Sequence, residues 1–157
     1  MQGLGTTMNQ RTSEASDSAA SWTRYWQSGF QDTCFFADRA FAVDQLWQDL
    51  FSELDSSARI VDLATGNGAV ALKAATFARD HNRAFAISGV DYATIAPAGP
   101  TSTDAELVAS VEFMGNTDIA NLPFHSSSVD CLTSQYGFEY ARGDLALAEA
   151  VRVLGTD

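Results

Sequence analysis

The stretch from Arg59 to Asp91 constrains the fold more than any other part of the chain. In "RIVDL", Ile60, Val61 and Leu63 read as a short strand, and "ATGNG" is a turn of small residues. From Gly68 to Asp80 the helical period places Val70, Ala74, Phe77 and Ala78 inward, and "AFAISGVD" returns to an apolar run. A strand, a helix and a strand within about thirty residues form a βαβ unit, which implies a parallel sheet.

The flanking segments extend that unit. "YATIAPAGPTST" is a loop because Pro97, Gly99 and Pro100 break regular structure, and "DAELVAS" supplies a short helix. "SVEFMG" reads as a third strand, "SSVDCLTSQY" as a fourth, and "GDLALAEAVRVL" as a helix with Asp144 at its N-cap. Before the unit, Val43, Leu46, Trp47, Leu50, Phe51 and Leu54 follow the spacing of one helical face. Further upstream, Trp22, Tyr25 and Trp26 form an aromatic stripe that Gly29 ends. Both stripes fit packing onto the sheet, and the aromatic one also fits a lid over a ligand pocket.

The expected fold is α/β: a Rossmann-like, doubly wound, mostly parallel sheet with an N-terminal helical segment. Residues 1–20 are rich in Ser, Thr, Gly and Ala, and burial there cannot offset the entropy of ordering, so they read as a disordered tail. Residues 21–56 form a helical cap and 57–157 the core.

Charge narrows the partners. Nine Lys and Arg stand against twenty Asp and Glu, a formal net charge of -11, which repels phosphate backbones and anionic lipid headgroups. Neither polymeric nucleic acid nor a membrane is expected as a partner. The N-terminus lacks the basic start and apolar middle of a signal peptide, and no apolar run approaches roughly 20 residues, so a cytoplasmic protein is expected. Cys34 and Cys131 have no C-x-x-C partner and read as reduced, buried side chains. His81 and His125 stand far apart, and no metal-ligand cluster is visible.

In a doubly wound sheet the ligand lies beyond the C-terminal strand ends, at the first strand-to-helix turn. Gly66 and Gly68 occupy that turn, where a missing Cβ allows close backbone approach and the helix start offers free N–H groups. Asp91, ending the second strand, stands where a carboxylate accepts the hydroxyls of an adenosine ribose. A dinucleotide competes, because Gly66, Gly68 and Ala71 fit G-x-G-x-x-A. Asp62, before the turn, opposes a pyrophosphate but favours a cationic ligand.

"VDLATGNG" resembles the first motif of the class I S-adenosylmethionine-dependent methyltransferases, an acidic residue followed by G-x-G-x-G, with Ala64 at the first glycine position. "GNTDIANLPFHSSSVDCLTSQYGFEYA" is similar to the third and fourth strand region of that family. The resemblance implies S-adenosylmethionine as cofactor and methyl transfer to a small-molecule acceptor. Under it Asp62 orders the glycine loop, Gly66 admits the cofactor to the backbone, and Asp91 holds the ribose. Tyr92 covers the adenine, Asp118 accepts from its amino group, and Ile119 offers its N–H and packs on the ring. Ser134 and Gln135 lie near the methionine portion.

Acceptor-side candidates are Trp22, Tyr25 and Trp26, with Tyr136, Glu139 and Tyr140 just past the fourth strand. Glu139 and His125 are the available bases, each of a type ordinary at a surface or in a loop. "AEAVRVLGTD" resembles the point where family members continue into a fifth strand, so a truncated sheet with an exposed fourth strand and self-association through that edge is also expected. Two other functions stay open: an NAD(P)-dependent oxidoreductase, and a non-catalytic nucleoside-binding fragment.

Overall fold

The computed structural model describes residues 18–30, 37–97 and 104–154, of which 37–41 by backbone alone. Helix α1 runs over 18–27. The remaining elements are α2 (Ala37–Glu53), β1 (Arg59–Leu63), α3 (Ala69–Asp80), β2 (Ala86–Val90), α4 (Ala105–Ala109), β3 (Val111–Met114), β4 (Cys131–Thr133), a 3₁₀ turn (Phe138–Tyr140) and α5 (Gly143–Val153). The four strands form one parallel sheet in the order β3-β2-β1-β4. Order reverses between β1 and β4, and a crevice of that kind is where α/β sheets hold ligands.

The side-chain alternation of β1 explains the two cores. Ile60 points to the face covered by α2 and α3, where it joins Trp47, Phe51, Val70, Ala74, Phe77, Ile87 and Val111. Val61 and Leu63 point to the opposite face and pack with Val90, Ile119, Leu122, Val129, Ala146 and Val153. Helices thus lie on both faces of the sheet, as in the expected doubly wound fold.

Three expectations change in detail. Residues 18–20 are already helical, so α1 starts before Ser21, while 1–17 and Cys34 lie outside the described residues. Leu46 is 61% exposed although Trp47 and Phe51 are buried, so the buried stripe on α2 is narrower than the spacing implies. Those two rings share a core with α3, the packing onto the sheet that the stripe implies. Arg142, not Asp144, is the N-cap of α5, and Asp144 sits in its first turn, where a negative charge meets the positive end of the helix.

β4 is only three residues long. Beyond it the hydroxyl of Ser134 donates to Leu63 O at 2.9 Å, and Tyr136 turns to φ 58°, so the ladder stops there. Before it, Val129 forms a single parallel bridge with Leu154. The loop from Leu122 to Ser126 is fastened to α5 by Arg152, which donates to Leu122 O, Phe124 O and Glu149, while Glu149 accepts from Leu122 N at 2.8 Å. Among the described residues no helix is long and apolar enough to cross a membrane.

Candidate functional site

The turn after β1 is built from left-handed residues: Ala64 at φ 53°, Gly66 at φ 55° and Gly68, the N-cap of α3, at φ 91°. Glycine takes these angles freely, whereas an alanine there costs about 1–2 kcal/mol. The Ala64 Cβ is tolerated because Gly137 faces it; a Cβ on Gly137 would collide with it.

Beneath the turn lies Asp62, 2% exposed. Thr65 donates to its Oδ2 at 2.6 Å and Thr133, from the end of β4, to its Oδ1 at 2.8 Å. Burial pushes its carboxyl up to about 6, against the opposing pull of the two hydroxyls. Asp91 is buried at the end of β2, and its Oδ2 accepts from Gly66 N and its Oδ1 from Ala93 N, both at 2.8 Å. Burial raises its pKa as well, while these two N–H bonds lower it. The two carboxylates flank the turn from neighbouring strands, and the Asp91 charge adds a further upward push on Asp62.

Protein rings occupy the bare faces of both glycines. A Cβ on Gly66 would run into the indole of Trp26, and one on Gly68 would lie 2.6 Å from Phe113 Cζ. Trp26 itself is 7% exposed. Trp22 stacks on it with centroids 5.9 Å apart, Tyr25 meets it edge-on at 5.0 Å, and Tyr140 meets Trp22 edge-on at 5.8 Å. Two groups nominated separately from sequence, the aromatic stripe and the segment after β4, therefore come together above the turn.

The remaining candidates spread around the strand ends. Asp118 accepts from Ala120 N at 2.9 Å and pairs with Arg142 at 3.2 Å. The Ile119 side chain is buried in the core on the α5 face, which leaves its backbone as the part able to meet a ring. Tyr92, Tyr136 and Glu139 are exposed. Gln135 accepts from the indole N–H of Trp47 at 2.9 Å, tying the end of β4 to α2. His125 is exposed in the loop that packs toward α5. Among the described residues, no group of three or more His, Cys, Asp or Glu could hold a metal ion, and Cys131 is a buried free thiol.

Two residues went unnoticed in the sequence. Thr133 is an ordinary strand residue until its hydroxyl meets Asp62. Asn67 stands between the glycines as a mere spacer, yet it is 1% exposed and its amide is fully engaged. A large polar residue flanked by glycines, with no chain-local acceptor for its amide, was the available signal.

Chemically, the site offers two buried carboxylates, a helix N-terminus and an aromatic wall. That donor set fits a ligand carrying hydroxyls and positive charge, and it disfavours a pyrophosphate.

Residues 39–156 match the sequence pattern of the ubiE/COQ5 methyltransferase family. The ubiquinone/menaquinone biosynthesis C-methyltransferase UbiE of Rickettsia felis is 32% identical over 120 residues, covering 73% of this chain and 48% of that protein. The chain spans about half the length of the curated relatives it matches. Among solved structures, the [4+2]-cyclase SpnF aligns with a TM-score of 0.58 at 27% identity, over 73% of this chain and 42% of that one. The geranyl diphosphate C-methyltransferase of Streptomyces coelicolor A3(2), solved with Mg2+, geranyl diphosphate and S-adenosyl-L-homocysteine, shares the fold at TM-score 0.57 and 14% identity, over 73% and 42%.

Proposed function

The chain belongs to the ubiE/COQ5 methyltransferase family, and on that premise we propose that it binds S-adenosylmethionine and serves methyl transfer to a carbon atom of a small-molecule acceptor. The observation that carries this reading is the pair of buried carboxylates, Asp62 and Asp91, on either side of a glycine turn that opens α3. A pyrophosphate placed there would meet two negative charges, whereas the same local field favours a cofactor that carries positive charge on its sulfonium and ammonium groups. This weighs against the nicotinamide alternative.

In this reading Asp91 holds the ribose hydroxyls while keeping its bond to Gly66 N, and Asp118, with the Ile119 backbone, meets the adenine edge. Asp62 acts through the turn, bracing Thr65 from below. When bound, the cofactor supplies a methyl group already activated on sulfur, so the protein's task is alignment and exclusion of water. Trp22, Tyr25 and Tyr140 supply an apolar wall suited to a flat acceptor. The curated relatives are named for C-methylation in ubiquinone and menaquinone biosynthesis, which supports an acceptor of that kind.

Equilibrium titration tests the reading. S-adenosylhomocysteine is expected to bind at micromolar affinity and NADH not at all; the reverse result would sink it.

A further inference from the structure

The side-chain amide of Asn67 makes three hydrogen bonds to two separate segments. Its Nδ2 donates to Trp26 O at 2.8 Å and to Phe30 O at 2.7 Å, and its Oδ1 accepts from Ala96 N at 2.8 Å. Both amide protons are therefore spent on the C-terminal end of α1 and the residues just after it, while the oxygen fixes the loop that follows β2. A second tie joins those same two segments, since Thr23 on α1 accepts from Thr94 N at 3.0 Å. What these bonds hold in place is the Trp26 indole, seated on the face of Gly66 that the missing side chain leaves open.

We infer that α1 is a lid over the cofactor turn, that Trp26 is the group closing the approach to Gly66, and that Asn67 is the positioning residue that latches it. The inference rests on the cofactor reading above. α1 is suited to the task. The Asn67 and Thr23 bonds are among the ties that fasten it, and the two cores flanking the sheet contain none of its residues, so its lifting leaves those cores packed. Entry of the cofactor to the bare face of Gly66 requires the ring to leave, and departure of the ring requires Asn67 to release two carbonyls. Asn67 is itself one of the residues of the turn, so a ligand that reshapes the turn acts directly on the lid.

Asn67→Asp isolates the latch: the carboxylate still accepts from Ala96 N but can donate to neither carbonyl. Hydrogen exchange reads the lid without any ligand. Amides of residues 18–27 are expected to exchange about tenfold faster in the variant, with α3 and the four strands unchanged. Equal acceleration across the sheet, or none in 18–27, overturns the inference. In stopped-flow mixing with S-adenosylhomocysteine, the wild-type observed rate should level off with concentration as lid opening becomes limiting, and Asn67→Asp should raise that ceiling about tenfold. A rate that climbs linearly in the wild type, with no ceiling, also overturns it. If Asn67→Asp does not fold, Thr23→Val removes the second tie alone: faster exchange confined to 18–27 supports the lid, and unchanged exchange refutes it. Failure of S-adenosylhomocysteine to bind would defeat the proposed function, while the exchange data would still decide the latch.

Discussion

Thr133 donates its hydroxyl to Asp62 Oδ1 at 2.8 Å, so the last strand of the sheet grips a buried carboxylate on the first. Thr65 holds the other oxygen from within the glycine turn. The turn, β1 and β4 are thereby locked around one ionisable group, and several measurable consequences follow from how that group and its neighbours are held.

The Asp62 carboxyl sits near 6 in the folded protein against 3.8 for the free side chain. The folded state then holds the proton more tightly than the unfolded one. Its stabilising contribution is fully present below 3.8 and is lost as pH rises through about 6, a change of about 3 kcal/mol. The stability of wild type relative to Asp62→Asn, from urea unfolding, should fall by about that amount between about pH 4 and pH 7. Asp91, shifted in the same direction, is present in both proteins and cancels to first order. A difference that stays flat with pH would show that Asp62 is not buried as described.

Ala64→Gly should stabilise the fold by about 1 kcal/mol, because it relieves a left-handed alanine without removing any packed group larger than a methyl. Gly137→Ala should do the opposite by about 2 kcal/mol or more, since the new methyl meets Ala64. Thermal unfolding of the two variants checks both signs.

Asp91→Ala should weaken S-adenosylhomocysteine binding by about 1–3 kcal/mol, the loss of charge-assisted bonds. It also strands the N–H groups of Gly66 and Ala93, so Asp91→Asn, which retains one acceptor oxygen, should recover stability more than affinity. Calorimetric titration of both variants separates the two effects, and an unchanged affinity in both removes Asp91 from the site.

Glu149 is held far below its usual range, at about 2, by its bonds to Arg152 and Leu122 N. Here the folded pKa is depressed, so the stabilisation is present above 4.5 and lost as pH falls toward 2. The advantage of wild type over Glu149→Gln should therefore shrink as pH falls through that window. Its size will be modest, because the carboxylate is near the surface.

Much of the architecture was legible in the sequence because the hydrophobic period changes at Arg59, and the change can be read without knowing any contact. Asp62 and Asp91 could be picked out for a similar reason: a carboxylate at the end of an apolar strand is conspicuous. The faces of the two glycines were not legible. A missing side chain looks the same in sequence whether a ligand or an indole fills the space, and the bond that seats Trp26 joins Asn67 to a carbonyl 41 residues earlier. Leu46 misled because a helical stripe reports spacing, while burial depends on how wide the facing surface is. Asp144 misled because the residue before Gly143 already carries the cap geometry, without any side-chain bond to announce it.

The strand order has a temporal consequence. β1 pairs on one side with β2, which follows closely in the chain, and on the other with β4, which brings Thr133 to Asp62 across 71 residues. As the chain is synthesised, β1, β2 and β3 emerge before Thr133 does. The β1–β4 pairing closes the longest loop in the sheet and so carries its largest loop-closure entropy. The acidic strand end that opens the site in sequence thus receives its second hydroxyl from the most distant of the strands.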